Sequence, residues 1–176
     1  MGTSTLVATA KSTTANSFCT LAEADQYQDD RPAVSTTWAD ASENNKIRAL
    51  LWATKLMESL FAWTGYATTT TQALGWPRTG LLDRIDVVLD SDTVPAEVKN
   101  AQAEYARQLL VANRGQDNEI EAQGISSIKA GSVALAFTSN QYNKVVPDVV
   151  YLMIPTDWFS SVRGRITPTR IVERAS

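Results

Sequence analysis

Between Ser42 and Phe61 the chain carries apolar residues on two nearly opposite sides of a single helical repeat. Ile47, Leu50, Leu51, Thr54, Met57 and Phe61 share one face of a helix predicted over about 43–61, with Ser42 as its cap. Ala49, Trp52, Leu56 and Leu60 lie opposite, and only Arg48, Lys55 and Ser59 form a clearly polar stripe. Such a helix must be covered on both sides, which a small domain rarely achieves with its own residues. Either the domain wraps both faces or a neighbouring subunit covers the second. In the latter case Trp52, Leu56 and Leu60 are the candidate inter-subunit face.

The segments around this helix read as further helices. Thr20-Leu21-Ala22-Glu23 is a capping box, in which the threonine hydroxyl accepts from the third helical N–H and the glutamate reaches back. Leu21, Ala24 and Tyr27 then predict a short helix that stops before Pro32. Trp38 anchors the loop that follows. Pro95 suits the first position of a second long helix over about 95–113, which Gly115 ends. Its core stripe is Val98, Ala101, Tyr105, Leu109 and Ala112, while Lys99, Asn100, Glu104 and Arg107 are expected to point away. Val146-Pro147 opens a last short helix ending near Met153, and Pro155 and Trp158 close the packed body.

Strand signals are few. Ile85-Asp86-Val87-Val88-Leu89 alternates as a short strand would, and Asp90-Ser91-Asp92 makes a turn after it. Ile125–Lys129 and Ser132–Phe137 flank Ala130-Gly131 and predict a hairpin. Residues 1–16 are dominated by Thr, Ser and Ala, with Lys11 as their only charge. The expected fold is mainly α: a small helical bundle with a short β-hairpin element and extended N- and C-terminal arms. It divides into a flexible arm over 1–16, a helical domain over 17–162 with the β element at about 125–137, and an Arg-rich extended tail over 163–176.

Composition removes most catalytic chemistry. The 176 residues include no histidine and a single cysteine, Cys19. Neither a Cys/His metal site nor a Ser-His or Cys-His nucleophile pair can be assembled within the chain, and a disulfide framework is excluded as well. Nineteen Asp and Glu remain, but no pair of them can be nominated as acid and base. The expectation is a protein that is not an enzyme and holds no metal or cofactor. No apolar run is long enough for a membrane span, and the first residues lack the basic start and apolar stretch of a secretory signal. A soluble, non-exported protein without a membrane partner is therefore expected. The net charge is −3, yet the last fourteen residues carry +3, with Arg163, Arg165, Arg170 and Arg174 against Glu173, which leaves −6 on the rest. An acidic body with a basic end is not the footprint of a duplex-DNA binder, which needs a broad basic face.

Asp83, Asp86, Asp90 and Asp92 form the densest carboxylate cluster, but it lacks the glycine and closing glutamate of a calcium loop and reads as a solvated turn. Trp76-Pro77-Arg78 is the one local match to the interleaved aromatic and basic residues that single-stranded nucleic acid requires. Trp158 ahead of Arg163 is a loose second, and two contacts do not make a track. Trp76, Pro77, Arg78 and Gly80 are instead expected to build a rigid structural corner, in which Pro77 restrains Trp76 and Gly80 supplies a positive-φ exit. In the tail, Thr167-Pro168-Thr169 favours extended backbone. Arg163, Arg165, Ile166, Arg170, Ile171 and Arg174 are its candidate partner contacts, because arginine forks match carboxylates and the aliphatic residues fill shallow pockets.

The order of these pieces extends over residues 16–155. Asn16-Ser17-Phe18 precedes Leu21-Ala22-Glu23-Ala24-Asp25-Gln26-Tyr27, and Trp38 stands ahead of a helix with Lys46, Ala49, Leu50 and Ala53-Thr54. Gln72-Ala73-Leu74-Gly75-Trp76-Pro77-Arg78-Thr79-Gly80 and Val94-Pro95-Ala96-Glu97-Val98-Lys99 follow. With them the chain resembles a family of tailed-bacteriophage neck proteins, the head-to-tail adaptor or head-completion proteins, whose relatives are often labelled DnaT-like single-stranded-DNA-binding proteins. The resemblance implies a helical adaptor that docks as a ring, typically twelve-fold, beneath the portal, extends the DNA channel and offers a platform for tail proteins. It implies as partners the portal ring, tail or neck proteins and further copies of the chain, with genomic DNA passing through without sequence-specific binding. The place of action would be the virion neck, after assembly in the host cytoplasm. The tail is then expected to dock on the portal, with an adjacent adaptor subunit as the alternative. The label borne by relatives points to a different class, a single-stranded-DNA-binding or primosome accessory protein.

Overall fold

The computed structural model describes residues 4–32, 36–112, 127–130, 133–136 and 145–162. In chain order the elements are α1 (Leu21–Asp29), α2 (Thr36–Ala39), α3 (Glu43–Leu60), β1 (Phe61–Trp63), β2 (Tyr66–Ala67) and β3 (Arg78–Thr79). Then follow α4 (Ala96–Val111), β4 (Ser127–Ala130), β5 (Val133–Ala136), α5 (Asp148–Met153), a 3-10 turn over Thr156–Trp158 and β6 (Phe159–Val162). The fold is mainly α, as expected. Helix starts follow local signals. Thr20 Oγ1 accepts from the Glu23 N–H and the Glu23 carboxylate accepts from the Thr20 N–H at 2.7 Å, closing the capping box. Ser42 caps α3 through the Asn45 N–H. Pro95 and Pro147 stand one position before α4 and α5, where no backbone N–H is needed.

The centre of the molecule is α4, against which α1, α2, α3 and α5 all pack. Every residue from Ala101 to Ala106 is buried. The outward face expected for this helix therefore fails at Glu104, which is 1% exposed. Its carboxylate pairs with Arg31, just beyond α1, and with Arg107 at 2.6 Å, and it accepts from Gln108 Nε2 at 3.0 Å. A buried charge is tolerated only with such partners.

The two apolar sides of α3 are satisfied mostly within the chain. Ala49, Leu50, Ala53, Thr54, Leu56 and Met57 are buried, and Leu60 is partly buried against the core. Of the candidate inter-subunit face, only Trp52 remains open, at 41% exposure. Leu56 is thereby buried away from such a face, while Leu60 stays partly accessible.

Residues 4–16, expected as a flexible arm, are laid along the body. Asn16 holds them: its side chain donates to the Thr5 carbonyl at 2.9 Å and accepts from the Val7 N–H at 2.7 Å, and its own N–H reaches the Val7 carbonyl. Leu6 packs on the core, Ala15 is buried, the Ser12 carbonyl accepts from the Ala73 N–H, and Lys11 pairs with Asp92. The segment has little to bury, but one asparagine supplies the partners its backbone needs.

Among the described residues there are three small antiparallel ladders. β1 pairs with β6, Phe61 opposite Val162 and Trp63 opposite Phe159. β2 pairs with β3, and β4 with β5 in the expected hairpin, Ser127 opposite Ala136 and Ala130 opposite Val133. The strand expected over 85–89 is instead a loop, touched by one isolated bridge between Leu82 and Val88. Gly115, the ends of the hairpin at 125–126 and 137, and the tail over 163–176 lie outside the described residues. No helix among the described residues is long and apolar enough to cross a membrane.

Candidate functional site

The Trp76-Pro77-Arg78 turn sits in an aromatic cluster. Trp76 is 2% exposed, and its ring meets Trp63 edge-on at 5.6 Å between centroids and Trp158 at 5.3 Å. Phe61 stacks on Trp63 and meets Phe159 edge-on, so the cluster joins this turn to β1 and β6. The Trp76–Pro77 peptide bond is cis. The Arg78 guanidinium donates to the carbonyls of Thr64, Gly65 and Gly75. The Gly75 N–H and the Trp63 indole donate to the two oxygens of Glu58, whose carboxyl burial pushes above its ordinary value. A Cβ on Gly75 would stand 2.8 Å from the Trp63 ring and 2.9 Å from that carboxylate, so the position requires glycine. Gly80 leaves the turn at φ +77°. No ring face of Trp76 is open to a base, and the Arg78 fork is committed to three carbonyls.

Two buried polar residues of α4 escaped the sequence reading, Glu104 and Gln102. Gln102 is fully buried and joins three elements. Its Oε1 accepts from the N–H groups of Phe18 and Cys19 at 3.0 and 2.9 Å. Its Nε2 donates to Ser17 Oγ at 2.7 Å, to Thr54 Oγ1 at 2.8 Å and to the Leu50 carbonyl at 3.1 Å. The only sequence signal for it is its place in the apolar run around Ala101 and Ala103.

The aspartate cluster builds a loop. Asp83 Oδ1 accepts from the Ile85 and Val87 N–H groups, both at 2.9 Å, while the Asp83 N–H donates to the Val87 carbonyl at 2.8 Å. Asp86 stands at the tip with φ +61°, a conformation aspartate tolerates better than most residues. Asp90 accepts from the Asp92 N–H and the Thr93 hydroxyl, which hold its carboxyl below the ordinary value. Among the described residues, no group of three or more His, Cys, Asp and Glu is placed to hold a metal ion. With its N–H groups satisfied locally, the loop turns its aliphatic side chains outward: Leu82, Ile85 (77% exposed), Val87 and Val88 (71%).

A groove separates this loop from α5 and the 3-10 turn. Its walls include Leu82, Tyr151 and the 71% exposed Leu152, and Trp158 closes one side by donating its indole N–H to the Leu82 carbonyl at 2.7 Å. Asp83, Asp86 and Asp157 line it against one cation, Arg84, which itself donates to the Met153 carbonyl at 2.9 Å. Among the described residues elsewhere, Lys11 pairs with Asp92, Arg31 and Arg107 with Glu104, Lys46 with Asp25 and Lys99 with Glu23. Lys46 also lies over the Trp38 ring, whose indole donates to Asp25. Lys55 is exposed on α3. Arg163, Arg165, Ile166, Arg170, Ile171 and Arg174 lie outside the described residues.

No curated protein and no solved structure matches the chain. The sequence profile of a family described as putative DnaT-like ssDNA binding protein matches residues 5–168. That match takes in the N-terminal segment, the aromatic corner, α3, α4 and the groove together. The chain belongs to this DnaT-like family.

Proposed function

We propose that the protein is a structural assembly component, a head-to-tail adaptor that docks as a ring beneath a phage portal, extends the DNA channel and carries tail proteins. The observation that carries this reading is the exposed aliphatic loop of Leu82, Ile85, Val87 and Val88 beside Leu152, on a body whose described cations are largely engaged within the chain. An apolar patch rimmed by carboxylates suits a protein partner and repels phosphate. An acidic body also suits a channel through which DNA slides, since like charge discourages sticking. The phage neck in particular rests on the order of sequence motifs.

The second reading, single-stranded DNA binding, is the one the family's description names, and of the two it is the one a comparison supports. In this chain its contacts would fall to the arginines beyond Val162 rather than to Trp76-Pro77-Arg78. One preparation tests both: mixing with portal rings followed by electron microscopy, and fluorescence anisotropy of a labelled oligonucleotide over a salt series. Decorated portals with no salt-dependent anisotropy change at micromolar protein are expected. Bare portals together with oligonucleotide binding that weakens linearly in log salt would replace the first reading by the second.

A further inference from the structure

The groove between the 81–89 loop and the α5 wall is acidic and apolar at once, while the chain beyond Val162 is basic and aliphatic. Asp83, Asp86 and Asp157 stand against Arg84 alone, with Leu82 and Leu152 exposed at the edges. The last fourteen residues offer Arg163, Arg165, Arg170 and Arg174 with Ile166, Ile171 and Val172. Charge and hydrophobicity match in both chemistries: guanidinium forks for carboxylates, and branched aliphatic side chains for the exposed Leu82 and Leu152.

Topology favours a neighbour's tail over the chain's own. The groove is lined by Thr64, Gly65, Asp157 and Trp158, at the Trp63–Phe159 end of the β1–β6 ladder. β6 then carries the chain away from the groove to Val162, opposite Phe61 at the other end of the ladder. Four strand residues span about 13 Å, so a chain returning to its own groove would first have to reverse. Fourteen extended residues reach about 45 Å, far enough to cross to a neighbour. We propose that the groove receives the C-terminal segment 163–176 of a second copy of this chain. Each copy then offers a tail to one neighbour and a groove to the other, the heterologous contact that generates rings. The inference rests on the ring reading above, with the adjacent subunit rather than the portal as the tail's partner.

The test is disulfide trapping in the full chain, for which Cys19 is buried and out of the way. Leu152→Cys, at an exposed position on the groove wall, marks the groove and Ile171→Cys the tail. An equal mixture of the two single variants, oxidised, is expected to give the mixed dimer in at least about tenfold excess over either homodimer, because docking raises the effective concentration of the two thiols. A disulfide that forms only within the double variant, and not between mixed chains, overturns the assignment to a second copy. No cross-link in either format, with both variants folded by circular dichroism, overturns the groove assignment altogether. Portal decoration is read separately. Decorated portals without the cross-link leave the ring function standing and remove this contact, whereas the cross-link with bare portals does the reverse.

Discussion

Replacing Gln102 by leucine removes the polar link between the chain before α1, α3 and α4 while keeping a side chain of similar bulk. The amide orientation is set by its neighbours. Ser17 Oγ donates its proton to the Cys19 carbonyl and Thr54 Oγ1 to the Leu50 carbonyl, so both hydroxyls can only accept from Gln102 Nε2. In the leucine variant those hydroxyls keep the bonds they donate. The N–H groups of Phe18 and Cys19 do not: they lose their acceptor inside the core. A buried donor left unsatisfied costs about 1–3 kcal/mol, so two cost about 2–6 kcal/mol. The extra apolar burial of leucine offsets about 1 kcal/mol. The net loss, about 1–5 kcal/mol, is a large part of the 5–15 kcal/mol or so that holds a typical domain. Urea unfolding followed by circular dichroism, with the slope m compared between variants, reads it directly. Thr54→Val, which removes one acceptor from the hub, should cost less. A Gln102→Leu protein within about 0.5 kcal/mol of the parent at unchanged m would refute the role assigned to the hub.

Trp76→Ala removes the middle ring of the aromatic cluster and should lower stability by about 3–5 kcal/mol; an unchanged melting temperature with altered oligonucleotide binding would make the ring a contact instead. Burial, aided by the Glu23 charge, pushes the Cys19 thiol up to about 12. Native protein should therefore resist a thiol reagent at mildly alkaline pH while urea-unfolded protein reacts at once, and rapid native labelling contradicts the packing around it. Burial alone would raise the Glu104 carboxyl, but hydrogen bonds from Arg107 and Gln108 and the charges of Arg107 and Arg31 outweigh it and hold it below the ordinary 4.5. A depressed folded-state pKa stabilises above the unfolded value and loses that contribution as pH falls through the folded one. Glu104→Gln should thus cost about 1–3 kcal/mol near neutrality and flatten the decline below pH 4.5; a variant as acid-sensitive as the parent is the contrary result.

The helix starts were legible because each depends on a few adjacent residues. Thr20 with Glu23, Ser42 with Asn45, Pro95 and Pro147 all act within one turn, and the structure places helices where they indicate. The β1–β6 pairing was not legible, since strands of three and four residues carry no usable period and the partners stand far apart in the chain. Glu104 failed for a different reason. The rule that charged positions face outward assumes a helix with a wet side, and a helix packed by four others has none over Ala101–Ala106. The arm over 4–16 failed because composition measures what a segment can bury, not whether one Asn16 can satisfy its backbone.

At the candidate site the residues were visible and their directions were not. Alternation at Ile85–Leu89 suggested a strand with one wet face, but a carboxylate two residues ahead of Ile85 takes the N–H groups that a partner strand would have used. The same four aspartates that composition marks as a solvated turn therefore expose the aliphatic residues between them. Net charge was equally incomplete, because −6 over the body does not say which cations are already paired. The pairs involving Arg31, Lys46, Lys99 and Arg107 lie among α1, α3 and α4, while the groove carries Asp83, Asp86 and Asp157 against Arg84. The chain thus leaves an acidic, apolar groove at one end of the β1–β6 ladder and begins its basic tail at the other. Two identical bodies joined through one patch shared by both would stop at a dimer. A tail passed onward to a third copy, rather than exchanged within a pair, does not stop there, and whether the series closes as a ring or runs on as a filament depends on the rotation that each contact imposes.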